Sequence, residues 1–372
     1  MSKRTPNLNV PFFWPVQLGE DLAAAGLEVA ARNLKFLSEE VKMHLVLEPR
    51  FATPNKVRLD LRTLRLREYG PEAGGETPVL VDAPYAGHSA VIADYHRGQS
   101  LVETLQANGL SRVYLTDWKS ATLDMKDFDV DQYLAELNAC IDDLGGVVHL
   151  VGLCQGGWMS AMLAARFPGK VKSLVLAGSP IDTDAGEGPL KKMVHRTPMS
   201  FYEELVAAGG GLMLGHFMLQ GWKNMHPGEH YVTEHIDLYE HVDDPAWLRK
   251  AEAFEAWYEH PINLPGRWYL QVIKEIFKEN RLAHGTFVAL GRKVSLKAIT
   301  VPLYLLAGEA DDITPKEQVF AAARLVGTPP EKIAQKLVPG GHIGLFMGAR
   351  TLREHWPEVA RWIKAQEGET KG

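Results

Sequence analysis

The chain has 372 residues, 46% of them hydrophobic and 23% charged, with a formal net charge of -6. That length supplies a sizeable core and allows a single α/β core with insertions. The acid excess excludes a nucleic-acid binder, because nothing here neutralises a phosphate backbone. Two cysteines, Cys140 and Cys154, are too few for a disulfide framework and fit a reducing compartment. The basic start Met1-Ser2-Lys3-Arg4 leads into a short apolar stretch broken by Pro11 and Pro15, which makes a poor signal peptide. No window reaches the length of a membrane span, so the expected location is cytoplasmic.

In chain order, residues 1–56 are expected to form a helical arm, with Leu22, Ala25, Leu27, Ala30, Leu34 and Leu37 at roughly helical spacing. Val57 to Tyr69 alternates apolar and polar residues as strands do. Pro71-Glu72-Ala73-Gly74-Gly75 then reads as a turn. Short apolar runs follow at 78–83, 112–116, 147–151, 171–177 and 301–307. Helical stretches are expected between them at 91–107, 130–143 and 155–167. Strands alternating with helices predict a mainly parallel sheet covered on both faces. The alternation stops after Gly178-Ser179-Pro180 and resumes at Val301. The intervening stretch is rich in aromatics and methionine, with helices expected at 200–207 and 266–280. The expected architecture is an α/β-hydrolase fold with a mainly parallel sheet. Its core spans 57–180 and 299–366, and an inserted helical cap spans 181–298. The cap should lie over the carboxyl ends of the strands, where such sheets bind ligands.

The decisive motif is Gly152-Leu153-Cys154-Gln155-Gly156-Gly157. It follows the apolar run 147–151 and precedes a helical pattern, which is the strand–turn–helix context of a nucleophile elbow. A sulfur there would sit at a helix N-terminus, where backbone N–H groups favour thiolate over thiol. An elbow cysteine needs a base, and the base an orienting acid. The expected chain order is nucleophile, acid, histidine. Gly308-Glu309-Ala310-Asp311-Asp312 follows the 301–307 strand, and its spacing selects Asp311 over Asp312 and Glu309. Lys336-Leu337-Val338-Pro339-Gly340-Gly341-His342 then presents His342 on a glycine turn at a strand end. The oxyanion hole would combine the backbone N–H of Gln155 with that of Tyr85 or Ala86, in the loop after the 78–83 strand. Cys140 reads as a small buried hydrophobe and His149 as a satisfied core residue. Trp118 and His88 are substrate-binding candidates, with a structural turn and a helix cap as their plainer readings. No residue set calls for a metal.

Several separate blocks resemble the intracellular poly(3-hydroxybutyrate) depolymerases. They are Ala83-Pro84-Tyr85-Ala86-Gly87-His88, Val113-Tyr114-Leu115-Thr116-Asp117-Trp118, Phe128-Asp129-Val130-Asp131-Gln132-Tyr133, Gly178-Ser179-Pro180-Ile181-Asp182 and Pro265-Gly266-Arg267-Trp268-Tyr269-Leu270. Gly308-Glu309-Ala310-Asp311-Asp312-Ile313 and Gly341-His342-Ile343-Gly344-Leu345-Phe346 complete the set. The depolymerases are similar to polyhydroxyalkanoate synthases, which share the cysteine–aspartate–histidine triad. Cys154-Gln155-Gly156-Gly157 is similar to the synthase box, whereas Asp312 and the short arm resemble the depolymerases.

The resemblance implies a cysteine hydrolase that cleaves short-chain polyhydroxyalkanoate esters through a thioester acyl-enzyme. The alternative is a synthase or related acyltransferase using hydroxyacyl-coenzyme A. A small-ester hydrolase of the dienelactone type would lack so large a cap. A non-enzymatic granule-surface scaffold would be indifferent to loss of Cys154. No cofactor is expected, and coenzyme A enters as an acyl acceptor. The expected partners are a polyester or hydroxyacyl substrate and the surface of a storage granule. The resemblance and the amphipathic arm together imply a homo-oligomer.

Overall fold

A computed structural model of the chain describes Lys35, residues 48–70, 75–225, His241 and 243–368. The expected helical arm lies outside the described residues, apart from Lys35 and 48–56, as do 71–74 of the glycine-rich turn. The chain divides into two compact units, and the one carrying the sheet spans Leu47–Met225 and Ala256–Gly372. The described residues of the other unit are Lys35, His241 and 243–255, and its Lys35 Nζ meets Asp243 Oδ1 at 2.6 Å.

Eight strands form one sheet: β1 (Lys56–Asp60), β2 (Leu64–Tyr69), β3 (Val79–Asp82), β4 (Val113–Trp118), β5 (Val148–Leu153), β6 (Val171–Ala177), β7 (Leu303–Gly308) and β8 (Ile333–Val338). Their order across the sheet is β1-β2-β4-β3-β5-β6-β7-β8. β2 pairs antiparallel with both β1 and β4, and every pairing from β4 to β8 is parallel. The sequence reflects this split. β2 alternates Leu64 and Leu66 inward with Arg65 and Arg67 outward, whereas every residue of β3, β4, β5 and β7 is buried. Parallel strands covered on both faces read as continuous apolar runs for this reason. Edge strand β1 is largely exposed and carries Lys56 and Arg58, which discourages pairing with another chain.

Three helices cross between the first parallel strands and in the elbow: α1 (Leu101–Ala107), α2 (Val130–Asp143) and α3 (Gln155–Arg166). Ser100 caps α1 by accepting the Glu103 N–H at 3.0 Å. Asp129 begins α2 with a capping box, its N–H donating to Gln132 Oε1 at 2.8 Å. The helix expected over 91–107 is real only from 101. Residues 90–93 make a short 3-10 turn, and Asp94–His96 pairs with Gln99–Ser100 as a two-strand hairpin. Gly98 adopts a positive φ of 75° in that hairpin, so the chain reverses where a helix would continue.

Between β6 and β7 the sheet unit contributes α4 (Pro189–Arg196), α5 (Met199–Ala208) and α6 (Gly215–Met225). The helix α7 (Pro245–Tyr258) precedes α8 (Gly266–Gln271). The helix expected over 266–280 begins as α8 but widens into a π-helix over Val272–Lys278. The Thr183 hydroxyl donates to the Ile276 carbonyl at 2.7 Å, engaging a group that a regular helix would keep for itself. After β8, α9 (Trp356–Ala365) buries Trp356, Val359, Ala360 and Ile363. Among the described residues, no helix is long and apolar enough to cross a membrane.

Candidate active site

Cys154 lies between the last residue of β5 and the first of α3, with φ 50° and ψ -117°. A non-glycine residue there is strained, and such strain holds a side chain up at the end of a strand. The turn is possible because neighbouring backbones come unusually close. A Cβ on Gly156 would sit 2.2 Å from the Asp82 carbonyl, and one on Gly157 would sit 1.7 Å from Ser179 Oγ. The Cys154 N–H still donates to the Ala177 carbonyl at 2.9 Å, so the strained residue stays tied to β6.

β7 and β8 end beside each other, and their loops are cross-linked. The Glu309 N–H donates to the Val338 carbonyl at 2.8 Å and the Ala310 N–H to the Gly340 carbonyl at 3.1 Å. These bonds bring Asp311 to His342, whose Nδ1 donates to Asp311 Oδ2 at 2.7 Å. The other carboxylate oxygen accepts the N–H groups of Ile313 at 3.1 Å and Thr314 at 2.8 Å. Asp311 is therefore fixed in orientation, whereas Glu309 is exposed. Burial by itself would lower the His342 pKa, but the adjacent Cys154 sulfur and then the Asp311 carboxylate raise it well above the usual histidine value. Phe346 packs edge-on to the ring at 5.5 Å. The three residues stand at the carboxyl ends of β5, β7 and β8, on one edge of the sheet.

The loop after β3 runs against the first turn of α3, as the Gly156 approach to Asp82 shows. Among the described residues, the backbone N–H groups of Tyr85 and Ala86 have no acceptor. The N–H of Gln155 is one of the unpaired first donors of α3. The Tyr85 side chain anchors this loop. Its hydroxyl accepts from Tyr133 Oη at 2.8 Å, and its ring meets Trp268 edge-on at 5.0 Å.

Trp118 and His88 fall elsewhere. The Trp118 indole is 2% exposed, donates to the Ala83 carbonyl at 3.0 Å and packs beside Tyr85 and Tyr133. It supports the loop after β3 and is not part of the cavity wall. His88 Nε2 bonds the Tyr258 carbonyl at 2.9 Å, and its ring stacks on Tyr258 and lies against Trp257. Burial pushes its pKa down to about 4. Ser89 occupies the cap position before the 3-10 turn, so His88 is not the cap. His149 is buried, with Nδ1 bonded to Ser173 Oγ at 2.7 Å. Cys140 is buried within α2, where burial pushes its thiol up.

Asp82 was not singled out by the sequence. It is fully buried at the end of β3 and accepts the hydroxyls of Thr116 and Ser160, each at 3.1 Å. Burial pushes its pKa up to about 8, against the lowering effect of those bonds. Thr116 Oγ1 also accepts the Ala83 N–H at 2.9 Å, so this network braces the loop after β3 from below. A carboxylate closing an otherwise apolar strand was the available signal.

Beside the elbow lies a cavity of about 450 Å³, with Gln155 as its one lining residue from the sheet's carboxyl edge. The rest of the wall comes from 190–222 and 264–277, including Leu205, Phe217, Leu264, Trp268 and Phe277. This part of the insertion lines a cavity that reaches the carboxyl edge of the sheet at Gln155. Among the described residues, no cluster of three or more His, Cys, Asp or Glu side chains is arranged to hold a metal.

The strand order, the elbow after β5 and the acid and histidine after β7 and β8 define an α/β-hydrolase fold. The solved structure of BpoC from Mycobacterium tuberculosis H37Rv shares the architecture, with a TM-score of 0.53 over 84% of this chain and 100% of that one, at 13% identity. Residues 43–360 match the family described as "Protein of unknown function (DUF3141)", and the chain belongs to that family. It is also similar to the poly(3-hydroxyalkanoate) polymerase subunit PhaC of Haloferax mediterranei, 29% identical across 86% of this chain and 65% of that one. The PhaC of Allochromatium vinosum is 28% identical over 76% of this chain and 78% of its own. That of Synechocystis is 26% identical over 96% of each. The chain thus spans just under two thirds of the Haloferax relative and nearly all of the Synechocystis one. These relatives match the synthase alternative of the sequence reading and lend no support to the depolymerase reading over it.

Proposed function

We propose that this protein is a cysteine acyltransferase of the polyhydroxyalkanoate-synthase kind, acting on 3-hydroxyacyl thioesters of coenzyme A. The observation that carries the reading is the His342–Asp311 pair at 2.7 Å, on the same sheet edge as a cysteine on a strained elbow, in a chain similar to polymerase subunits. The Cys154 sulfur gives its proton to His342 and attacks the thioester carbonyl. The oxyanion is held by the N–H of Gln155 and that of Tyr85 or Ala86. The carbon–sulfur bond to coenzyme A breaks, and the imidazolium protonates the departing thiolate. A chain-end hydroxyl then gives its proton to His342 and attacks the acyl-cysteine. A new ester forms and the Cys154 thiolate leaves. Asp311 holds the imidazole with Nε2 toward sulfur and balances its charge.

A thioester intermediate serves synthesis and hydrolysis alike, because it stays reactive to a hydroxyl or to water. The relatives and the Cys154-Gln155-Gly156-Gly157 box support a hydroxyl acceptor. The test is incubation with 3-hydroxybutyryl-coenzyme A and with amorphous polymer in parallel. Coenzyme A release with polymer growth is expected. Free hydroxy acid from polymer, without growth from the thioester, would replace this reading with the depolymerase one. Full function in Cys154→Ala would remove both and leave a scaffold. Assembly into homo-oligomers and attachment to a storage granule belong to the same proposal, checked by light scattering and granule co-sedimentation.

A further inference from the structure

The cavity walled by the insertion is far larger than a four-carbon acyl group and has no use for one. At about 30 Å³ per water-sized group, 450 Å³ holds roughly fifteen such groups. A 3-hydroxybutyryl unit has six non-hydrogen atoms, and its side chain is a single methyl. None of the lining residues is charged. Thr197, one of the few polar ones, spends its hydroxyl on the Met193 carbonyl at 2.8 Å. Apart from Gln155, Gln220 and Gly221, the remaining wall is Leu, Met, Val, Ile and aromatic, with the π-helix contributing Val272, Ile273 and Phe277. The exposed Met193 and Phe201 stand among these lining residues, at 41% and 48% exposure.

We propose, resting on the acyltransferase reading above, that this cavity receives the alkyl side chain of medium-length 3-hydroxyacyl groups, of about eight to twelve carbons, rather than the short-chain units expected from the sequence. Gln155 joins the two sites: its backbone N–H belongs to the oxyanion hole and its residue forms part of the cavity wall. An acyl group held on Cys154 therefore has the cavity within its path. The rival occupant is a stretch of short-chain polyester. It would bring an ester carbonyl every few atoms into a wall whose unpartnered donors, Trp268 Nε1 and the Tyr202 hydroxyl, are themselves buried away from the cavity surface, and each unpaired acceptor opposes burial. A saturated alkyl chain meets no such penalty.

The experiment compares coenzyme A thioesters of 3-hydroxydecanoate and 3-hydroxybutyrate, following acyl-Cys154 by intact mass and turnover by thiol release. Roughly fourfold per buried methylene, discounted for a half-open mouth, gives an expected preference of at least ~50-fold in kcat/KM for the ten-carbon substrate. Val272→Phe should move the preference toward the four-carbon substrate while acyl-enzyme formation persists. Leu205→Trp, at a half-buried position, fills the same space if the first variant does not fold. Calorimetric titration of the free 3-hydroxy acids reads the cavity without chemistry. Equal or better use of the four-carbon thioester, or no binding of 3-hydroxydecanoate, overturns the inference. Binding of 3-hydroxydecanoate with no acyl-enzyme from either thioester would sustain the cavity assignment and instead defeat the acyltransferase reading.

Discussion

The carboxyl edge of the sheet and the inserted helices beside it solve opposite problems. At the edge, a handful of polar side chains is buried and almost every polar atom is bonded. Asp311 alone accepts three hydrogen bonds. In the insertion, the wall is broad and apolar, and Trp268 Nε1 and the Tyr202 hydroxyl are left without partners among the described residues. The edge has one workable geometry, because a misplaced buried charge is costly. The wall has many, since hydrophobic side chains of similar volume substitute for one another. On the proposed reading, chemistry is concentrated in Cys154, Asp311 and His342, whereas selectivity is spread over a broad apolar wall that tolerates change one residue at a time.

The sharpest way to break this contrast is Asp311→Asn. Asparagine keeps an acceptor for Ile313 and Thr314 but favours the wrong imidazole tautomer. The expected loss is on the order of 10⁴ in kcat with the fold intact, read by thiol release alongside circular dichroism. A loss below tenfold would detach Asp311 from the reaction.

Next comes Trp268→Ala, on the insertion side. Trp268 is 1% exposed and packs on Tyr85, Tyr133 and Trp158. Its removal should cost about 3–5 kcal/mol in denaturant unfolding. Alkylation of Cys154 by a small reagent should persist in the molecules that remain folded. If stability held and alkylation stopped, the division between edge and insertion would be wrong.

Asp82 supplies a pH test beneath both regions. Its pKa is about 8 in the folded protein, well above that of an unfolded aspartate. Between about pH 4 and pH 8 the unfolded chain therefore binds fewer protons at this site than the native one, so stability falls as pH rises through that window. The effect is on the order of a few kcal/mol. Asp82→Asn, which can still bond Thr116 and Ser160, should flatten this part of the stability curve in urea titrations at several pH values. Parallel curves for the two proteins would show that Asp82 ionises normally. The smallest effect is expected from Phe201→Ser, half exposed at the insertion's surface, at under ~0.5 kcal/mol; the same unfolding titration checks it.

The site was legible in the sequence where backbone geometry dictates residue type. Gly156 and Gly157 mark the elbow because any side chain there would overlap Asp82 or Ser179. Spacing after a strand pointed to Asp311, which meets His342 Nδ1 at 2.7 Å, rather than to the exposed Glu309. For Trp118 and His88, expected as substrate contacts, the motif gave position along the chain but not the direction a ring faces. Trp118 turns toward Tyr133, and His88 is clasped by Tyr258, 170 residues away. The helix expected over 91–107 failed for a local reason, since Gly98 reverses the chain inside an apolar pattern that suits either helix or hairpin.

Taken alone, the amino-acid order determined the alternation of buried strands and amphipathic helices, the glycine-flanked turn at Cys154 and the placing of Asp311 and His342 just after strands. Each of these follows from neighbours along the chain: side-chain periodicity and the steric demands of tight turns. Only the tertiary structure decided that Asp82 is buried against the Thr116 and Ser160 hydroxyls, that Tyr85 braces its loop through Tyr133 and Trp268, and that the insertion lines a cavity beside Gln155. Those outcomes depend on which distant side chains compete for the same space and the same hydrogen bonds, and no local pattern records the result.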